Sequence, residues 1–255
     1  FSGDTAETLS AAREAVRRGC RVIAITSGGQ LGELCAEHEI AAAQVPPGFQ
    51  PRAALGHLTF AMLGALETAG LLPSLTPDVE ESVATIDQLR AGLGPEVPEA
   101  ENPAKELATW LGDRIAVCWG AEGIGAVAAM RWKTQFNENA KVPAWHAAMS
   151  ELDHNEVVGW VRPTGALHAV IALRTDHEHP QLAARFPLSA DIVRAAGSEV
   201  REVRVTGRGP LASLLSLIVL GDFATCYVGL RRGEDPTPVA AIGGLKAALA
   251  AMDLG

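Results

Sequence analysis

The stretch "RIAVCWGAEGIGAVAA" (residues 114–129) decides the fold. Its first six residues form an apolar run of strand length, residues 114–119. A glycine-containing turn follows, and then a helical pattern from about residue 124 to residue 137. Strand, tight turn and helix in that order are the building unit of a parallel α/β sheet. The unit recurs on both sides. Upstream, "RVIAIT" (21–26) reads as a strand between a helix that Gly19 stops and a small helix at 31–37. A short strand at 41–45 and helices over 52–69 and 78–91 come next. Downstream, "HAVIAL" (168–173) and "EVREVRV" (199–205) are strands with a helix between them. Helices over 211–231 and 238–251 close the chain.

The expectation is an α/β protein of two parallel-sheet αβα modules. The segment "GLGPEVPEAENP" (92–103) is rich in Pro, Gly and Glu and is the natural break. It divides the chain into a first domain at 1–94, a linker at 95–103 and a second domain at 104–255. A parallel sheet normally has a strand and loop ahead of the position of Phe1, so the first module is expected to be partial at its N-terminus.

The 255 residues include 48% apolar and 20% charged side chains and carry a formal charge of −9. That balance is a globular one. The acidic excess argues against non-specific binding to nucleic acid or anionic membranes, while leaving room for a small phosphorylated ligand. The five Trp and one Tyr are too scattered for a base-stacking surface. Cys20, Cys35, Cys118 and Cys226 form no CxxC pair and read as reduced thiols of a cytoplasmic protein. The apolar run at 211–230 is interrupted by Asp222 and reads as a core helix rather than a membrane span.

Several stretches carry possible chemistry. "FSGDTAET" (1–8) places Ser2, Gly3 and Thr5 at a helix start, and Asp4 to Glu7 has capping-box spacing. It reads either as an anion-binding loop or as an ordinary capped helix. "GIGAVA" (123–128) fits GxGxxA after a strand. The acidic partner of a dinucleotide site, about 20 residues on, is missing, and a tight turn explains the glycines equally well. "KTQFNENAKVPAWH" (133–146) crowds Gln135, Asn137, Glu138, Asn139 and Lys141 at a helix end that Pro143 stops. Glu138 there is either a desolvated base held by amides or part of a solvated turn. His177-Glu178-His179 looks like a metal-ligand pair without a companion cluster.

Taken in order, "SGDTAET", "PRAAL", "FNENAK", "DHN" and "DPTPVAAIGGLK" resemble the bifunctional phosphoglucose/phosphomannose isomerases, members of the sugar isomerase (SIS) superfamily. The resemblance covers nearly the whole chain. Its most specific part is "FNENAK" with a histidine sixteen positions after the glutamate. It implies two SIS-type modules, with a glycine-rich segment and a further phosphate-binding serine ahead of "SGxTxET". It implies that Ser2 and Thr5 bind the substrate phosphate and that Arg52 steadies negative charge on the intermediate. Glu138 would be the catalytic base. His154 would assist ring opening from the other subunit of a homodimer, and Lys246 would stand near the ring oxygen. Asp153 precedes His154 where some relatives have a second histidine, and is expected to raise its basicity.

The implied activity interconverts glucose 6-phosphate or mannose 6-phosphate with fructose 6-phosphate through a cis-enediol, with no metal and no cofactor. A carboxylate can shuttle the C1–C2 proton, an arginine is always charged, and a histidine titrates near neutrality. A sensor of a sugar phosphate is the other class that this fold serves. It needs the phosphate loop but not the base.

Overall fold

The computed structural model describes residues 1–163 and 167–252. The chain divides into two compact units, Phe1–Pro77 and Asp78–Gly255.

In the first unit, helix α1 (Ala6–Arg17) precedes strand β1 (Ile23–Thr26), helix α2 (Gly29–Glu37) and strand β2 (Ala41–Gln44). A 3-10 turn (Pro51–Ala54) then leads into α3 (Leu55–Thr68), so the helix expected from 52 begins as a tighter turn. β1 and β2 pair in parallel, with Ile23 opposite Ala41 and Thr26 opposite Gln44. Leu9, Ala24, Leu31 and Cys35 form a small core between this pair and its helices. α1 ends as its glycine suggests: Gly19 takes φ +68°, and its N–H bonds to the Val16 carbonyl.

The second unit begins with helix α4 (Thr76–Ala91), whose first two residues lie in the first. α4 is tied to the second unit by Glu81, whose carboxylate accepts the Gly209 N–H at 3.0 Å. Leu93, just after α4, is fully buried in this unit's core. Helix α5 (Pro103–Leu111) follows, an element absent from the sequence expectation. Its signals were present within the proline-rich segment: Pro103 opens the helix, and Asn102 caps it by accepting from the N–H groups of Ala104 and Lys105.

Strand β3 (Ile115–Ala121) leads to α6 (Ile124–Asn139), β4 (Ala144–Met149), the short α7 (Glu156–Gly159) and β5 (His168–Thr175). The short α8 (Pro180–Ala183), α9 (Arg185–Ala195), β6 (Glu199–Val205), α10 (Pro210–Arg231) and α11 (Ala240–Ala250) complete the chain. The four strands form one parallel sheet in the order β4-β3-β5-β6. β4 was not expected either, because "AWHAAM" has no β-branched residue; its pairing with β3 makes it a strand.

Both faces of this sheet are covered, which is why β3 and β5 are near-continuous apolar runs. One face packs on α5, α6 and α10 through Cys118, Ile171, Leu173, Trp132, Phe136 and Leu217. The other packs on α7 and α9 through Val117, Trp119, Val170, Phe186 and Val193. The edge strand β6 is charged, as an edge needs to be. There the Trp110 ring meets the guanidinium groups of Arg114 and Arg201, and its indole N–H donates to Glu199 at 2.6 Å.

α10 has the length and apolarity to cross a membrane, yet it is the core helix of this unit, packed on α5 and α6. Trp132 of α6 reaches across to it, and its indole N–H donates to the Leu217 carbonyl at 2.8 Å. Gly221 makes that approach possible, since a Cβ there would stand 2.3 Å from Trp132 Nε1.

The glycines of "GIGAVA" have a packing purpose. A Cβ on Gly120 would fall 2.0 Å from the Gly125 carbonyl oxygen, and Gly123 takes φ +88° at the helix start. This is the tight-turn reading of the motif. Gly120→Ala should therefore lower stability by about 2–4 kcal/mol, because backbone meets backbone with nothing flexible to yield. Gly32→Ala, at an open position in α2, should be neutral or mildly stabilising. Denaturant midpoints of the two variants check this.

The four thiols differ sharply. Cys20 is exposed, Cys226 is partly covered, and Cys35 and Cys118 are buried. Burial also pushes the Cys118 thiol far above its ordinary pKa, so no thiolate is offered. A thiol reagent applied to the folded protein should modify Cys20 first and reach Cys35 and Cys118 only on unfolding, as peptide mapping by mass spectrometry will read.

Candidate active site

Ser2 and Thr5 share the loop that enters α1. Gly3, at φ +83°, lets this loop lie on the β1–α2 turn; a Cβ there would overlap the Gly28 carbonyl oxygen at 1.9 Å. The loop is fastened by Ser27 N–H to the Phe1 carbonyl at 2.8 Å and Leu31 N–H to the Gly3 carbonyl at 2.9 Å. The expected capping box does not form. Thr5 is the N-cap residue, but its side chain makes no capping bond. Asp4 turns away instead to accept the Gln30 N–H at 3.1 Å, at the start of α2. The consequence is chemical: the hydroxyls of Ser2 and Thr5 are exposed at a helix N-terminus, and the adjacent carboxylate is held by another helix.

Arg52 lies in the 3-10 turn that follows β2. Its guanidinium is half-buried and donates to Gln50 Oε1 at 3.3 Å. Gln50 in turn starts the 3-10 turn, its carbonyl accepting from the Ala53 and Ala54 N–H groups. The Ser2–Thr5 loop and the Arg52 turn both lie beyond the carboxyl ends of the parallel strands, the edge where open α/β sheets receive ligands.

In the second unit, Glu138 stands in the last turn of α6 and is half-buried. The groups around it account for most of "FNENAK". Phe136 and Ala140 are fully buried. Asn139 is buried and donates to Gln135 Oε1 at 3.1 Å and to Thr225 Oγ1 of α10 at 3.0 Å. Asn137 donates to the Val142 carbonyl at 2.8 Å. Lys141 takes a left-handed φ of +58°, and its ammonium donates to the carbonyls of Glu138 and, at 3.0 Å, Pro236. The amides thus bind the end of the helix to its surroundings. The role of Lys141 and the partnership of Asn139 with Thr225 were not foreseen, since the partners lie 95 and 86 residues away along the chain.

Pro236 belongs to the segment that leads to α11 and Lys246. Asp235 is held there by the backbone N–H of Thr237. That bond, then the Thr237 hydroxyl and the charge of Lys141, keep its carboxyl below the usual aspartate range. Lys246 itself is exposed on α11, a helix with no buried residues in the span 240–249.

His154 is exposed in the turn just past the carboxyl end of β4. Asp153, expected to act on it, has its carboxylate hydrogen bonds elsewhere. The Asp153 carboxylate accepts from Arg185 Nη1 at 2.9 Å and from Ser189 Oγ at 2.7 Å. What fixes the histidine turn is Glu156, two residues on. Its Oε1 accepts the indole N–H of the fully buried Trp119 at 2.8 Å and that of Trp160 at 3.3 Å. Asn155 adds bonds to Glu156 N–H and to Glu151. A glutamate following "DHN" was the available signal for this anchor.

Glu138 and His154 are not brought together within one chain. α6 ends at the amino end of β4, and His154 follows its carboxyl end. Six residues of strand intervene, roughly 15–20 Å. The metal-like triplet is dispersed as well: Glu178 pairs with Arg174, His179 caps α8, and His177 Nε2 bonds to the Arg208 carbonyl.

The family model for the bacterial phospho-glucose isomerase C-terminal SIS domain matches residues 100–249. Over 252 residues the chain is 38% identical to the bifunctional phosphoglucose/phosphomannose isomerase of Caldicellulosiruptor bescii, covering 98% of this chain and 74% of that one. The chain belongs to this family. The enzyme of the same name from Thermoplasma acidophilum is 34% identical over 246 residues, 96% of this chain and 73% of the relative. Solved structures support the fold. The C-terminal domain of glucosamine-fructose-6-phosphate aminotransferase from Francisella tularensis aligns with TM-score 0.67 at 16% identity, over 92% of this chain and 70% of that one. A hypothetical protein from Thermus thermophilus aligns with TM-score 0.75 at 14% identity, over all of this chain and 70% of that one.

Removing the anchor of the histidine turn gives a direct test of this geometry. Glu156→Ala leaves the buried Trp119 N–H without its acceptor, an expected loss of about 1–3 kcal/mol. Glu156→Gln, which keeps an oxygen at that place, should retain most of the stability and the native tryptophan emission.

Proposed function

We propose that the chain interconverts glucose 6-phosphate and mannose 6-phosphate with fructose 6-phosphate, through a cis-enediol and without a metal. Membership of the family makes it a sugar-phosphate isomerase; the route and the residue roles are our reading. The observation that carries it is the end of α6, where buried amides, a capping lysine and packed aromatics converge to present one glutamate.

Ser2 and Thr5 hold the phosphate at the start of α1, remote from the reacting carbons, so that binding energy orients C1 and C2. Histidine opens the ring as an acid–base group, and Lys246 assists at the ring oxygen. Glu138 removes the proton from one carbon and returns it to the neighbour. Arg52 stabilises the enediolate in between, a task suited to a group that stays protonated. Once C2 is planar, a proton can return on either face, which admits both aldose epimers. Proton transfer and charge stabilisation are complete with these side chains, and no step calls for a Lewis acid.

We further propose that the enzyme is a homodimer in which His154 serves the partner's Glu138. The separation of the two by the length of β4 supports this. So does the groove between α7 and α9 beside the histidine turn, where Leu188 and Ile192 leave apolar surface uncovered. The two SIS-type domains are proposed as 1–94 and 104–255 joined by 95–103. A family match to the C-terminal domain that begins at residue 100 supports that division, while α4 and Leu93 of the first domain pack within the second compact unit. Four free cysteines favour a cytoplasmic setting.

Coupled assays on each hexose 6-phosphate, in chelator, test the reading. Glu138→Gln should abolish turnover while leaving substrate binding nearly intact. Mixing inactive Glu138→Gln and His154→Ala proteins should restore about a quarter of wild-type activity, since half the sites of the mixed dimer are whole. Sugar-phosphate binding without turnover in the wild type would replace the enzyme with a sensor, and no recovery on mixing would end the shared-site proposal.

A further inference from the structure

The residue after the α6 cap sits at an uncommon place for a lysine. Lys141 has φ +58°, a left-handed backbone that disfavours any residue with a Cβ and that glycine normally supplies at a helix end. A glycine could terminate the helix equally well, so termination alone does not account for the side chain. The ammonium does what glycine cannot. It bonds at once to the carbonyl of Glu138, in the last turn of α6, and to the carbonyl of Pro236, 95 residues away. Asp235, next to Pro236 in the same turn, feels the charge of that ammonium. Beyond that turn the chain runs through 237–239 directly into α11.

We propose that Lys141 is a positioning residue: its ammonium cross-links the Glu138 turn of α6 to the 235–239 segment, and so sets the glutamate carboxylate for proton transfer. The proposal rests on the reading of Glu138 as the base. The bond is to the main chain of the same residue whose side chain does the work, so slack in it moves that carboxylate directly. The contacts to Glu138 and Pro236 together act across the whole turn, while the buried Asn139–Thr225 bond holds the inner side of the helix.

The test uses the full-length protein and three variants. Lys141→Gly removes the cross-link but relieves the left-handed backbone, so its thermal midpoint should stay within about 3 °C of wild type. Its kcat should fall roughly ten- to hundredfold with KM little changed, as for a misplaced catalytic group. Amide exchange in residues 234–239 should rise in the same variant. Lys141→Arg, which keeps charge and reach, should recover most of the rate. Wild-type kcat or unchanged exchange in Lys141→Gly overturns the proposal, and so does a rate loss matched by a collapsed thermal midpoint. Glu138→Gln is measured alongside. If that variant stays active the base assignment falls; if it is dead while Lys141→Gly is fully active, only the positioning role falls.

Discussion

Close backbone contact between α6 and its neighbours is the constraint on which the rest of the second unit depends. Gly120 and Gly125 let the start of α6 touch β3, with no side chain between. Gly221 admits the Trp132 indole to the α10 backbone, and Gly229 lets α10 pass the Asn139 carbonyl, which a Cβ would meet at 2.6 Å. The helix is thus seated at its beginning, middle and end by contacts that only glycine permits. Dense packing of this kind transmits position rather than absorbing it. A carboxylate carried on the last turn of such a helix inherits its fixity, which is what a proton-transferring group needs.

The parallel topology then distributes the candidate groups. Every crossover helix returns the chain from the carboxyl end of one strand to the amino end of the next, so helix ends and strand ends alternate between the two edges of a sheet. Ser2, Thr5 and Arg52 follow strands or rest on the loops after them. His154 does the same in the second unit, whereas Glu138 sits at a helix end and therefore at the opposite edge. The site proposed above, which uses both Glu138 and His154, therefore draws on more than one chain. Symmetry offers the simplest way, because a twofold axis supplies each copy with what the other lacks.

Much of this was legible in the sequence because it is local. β-Branched and apolar runs marked β1, β3, β5 and β6, and Gly19 marked the end of α1. What escaped notice was decided by distant partners or masked by composition. β4 has weak strand propensity and exists through β3. α5 begins inside a segment whose prolines suggested a linker, although Asn102-Pro103 is itself a helix start. Asp4 had the spacing for a capping box, but Gln30 of α2 competes successfully for it. Asp153 was next to His154 in sequence and is drawn to Arg185 and Ser189 in space. The candidate site residues follow from a family pattern, whereas the groups that hold them do not. Thr225, Pro236 and Trp119 carry no signal that ties them to a glutamate or a histidine far away in the chain.

The carboxyl edge of the second sheet raises a last question, since that is where parallel α/β proteins usually hold ligands. Beyond β5 and β6, away from the exposed His154 that follows β4, its polar groups are engaged in holding the fold. Arg174 is buried over Phe186 and bonded to Glu178 and Glu202, a pairing that leaves neither its charge nor that of Glu178 uncompensated. Asp176 accepts the Gly207 N–H, and His177 Nε2 bonds to the Arg208 carbonyl. A ligand there would have to break bonds whose loss strands buried charge. The other edge, where α6 ends and the 235–239 segment passes, carries a half-buried glutamate on a fixed turn. A sheet whose carboxyl edge is partly committed to structure can still present a candidate group at the opposite one, provided the helix that reaches it is held in place.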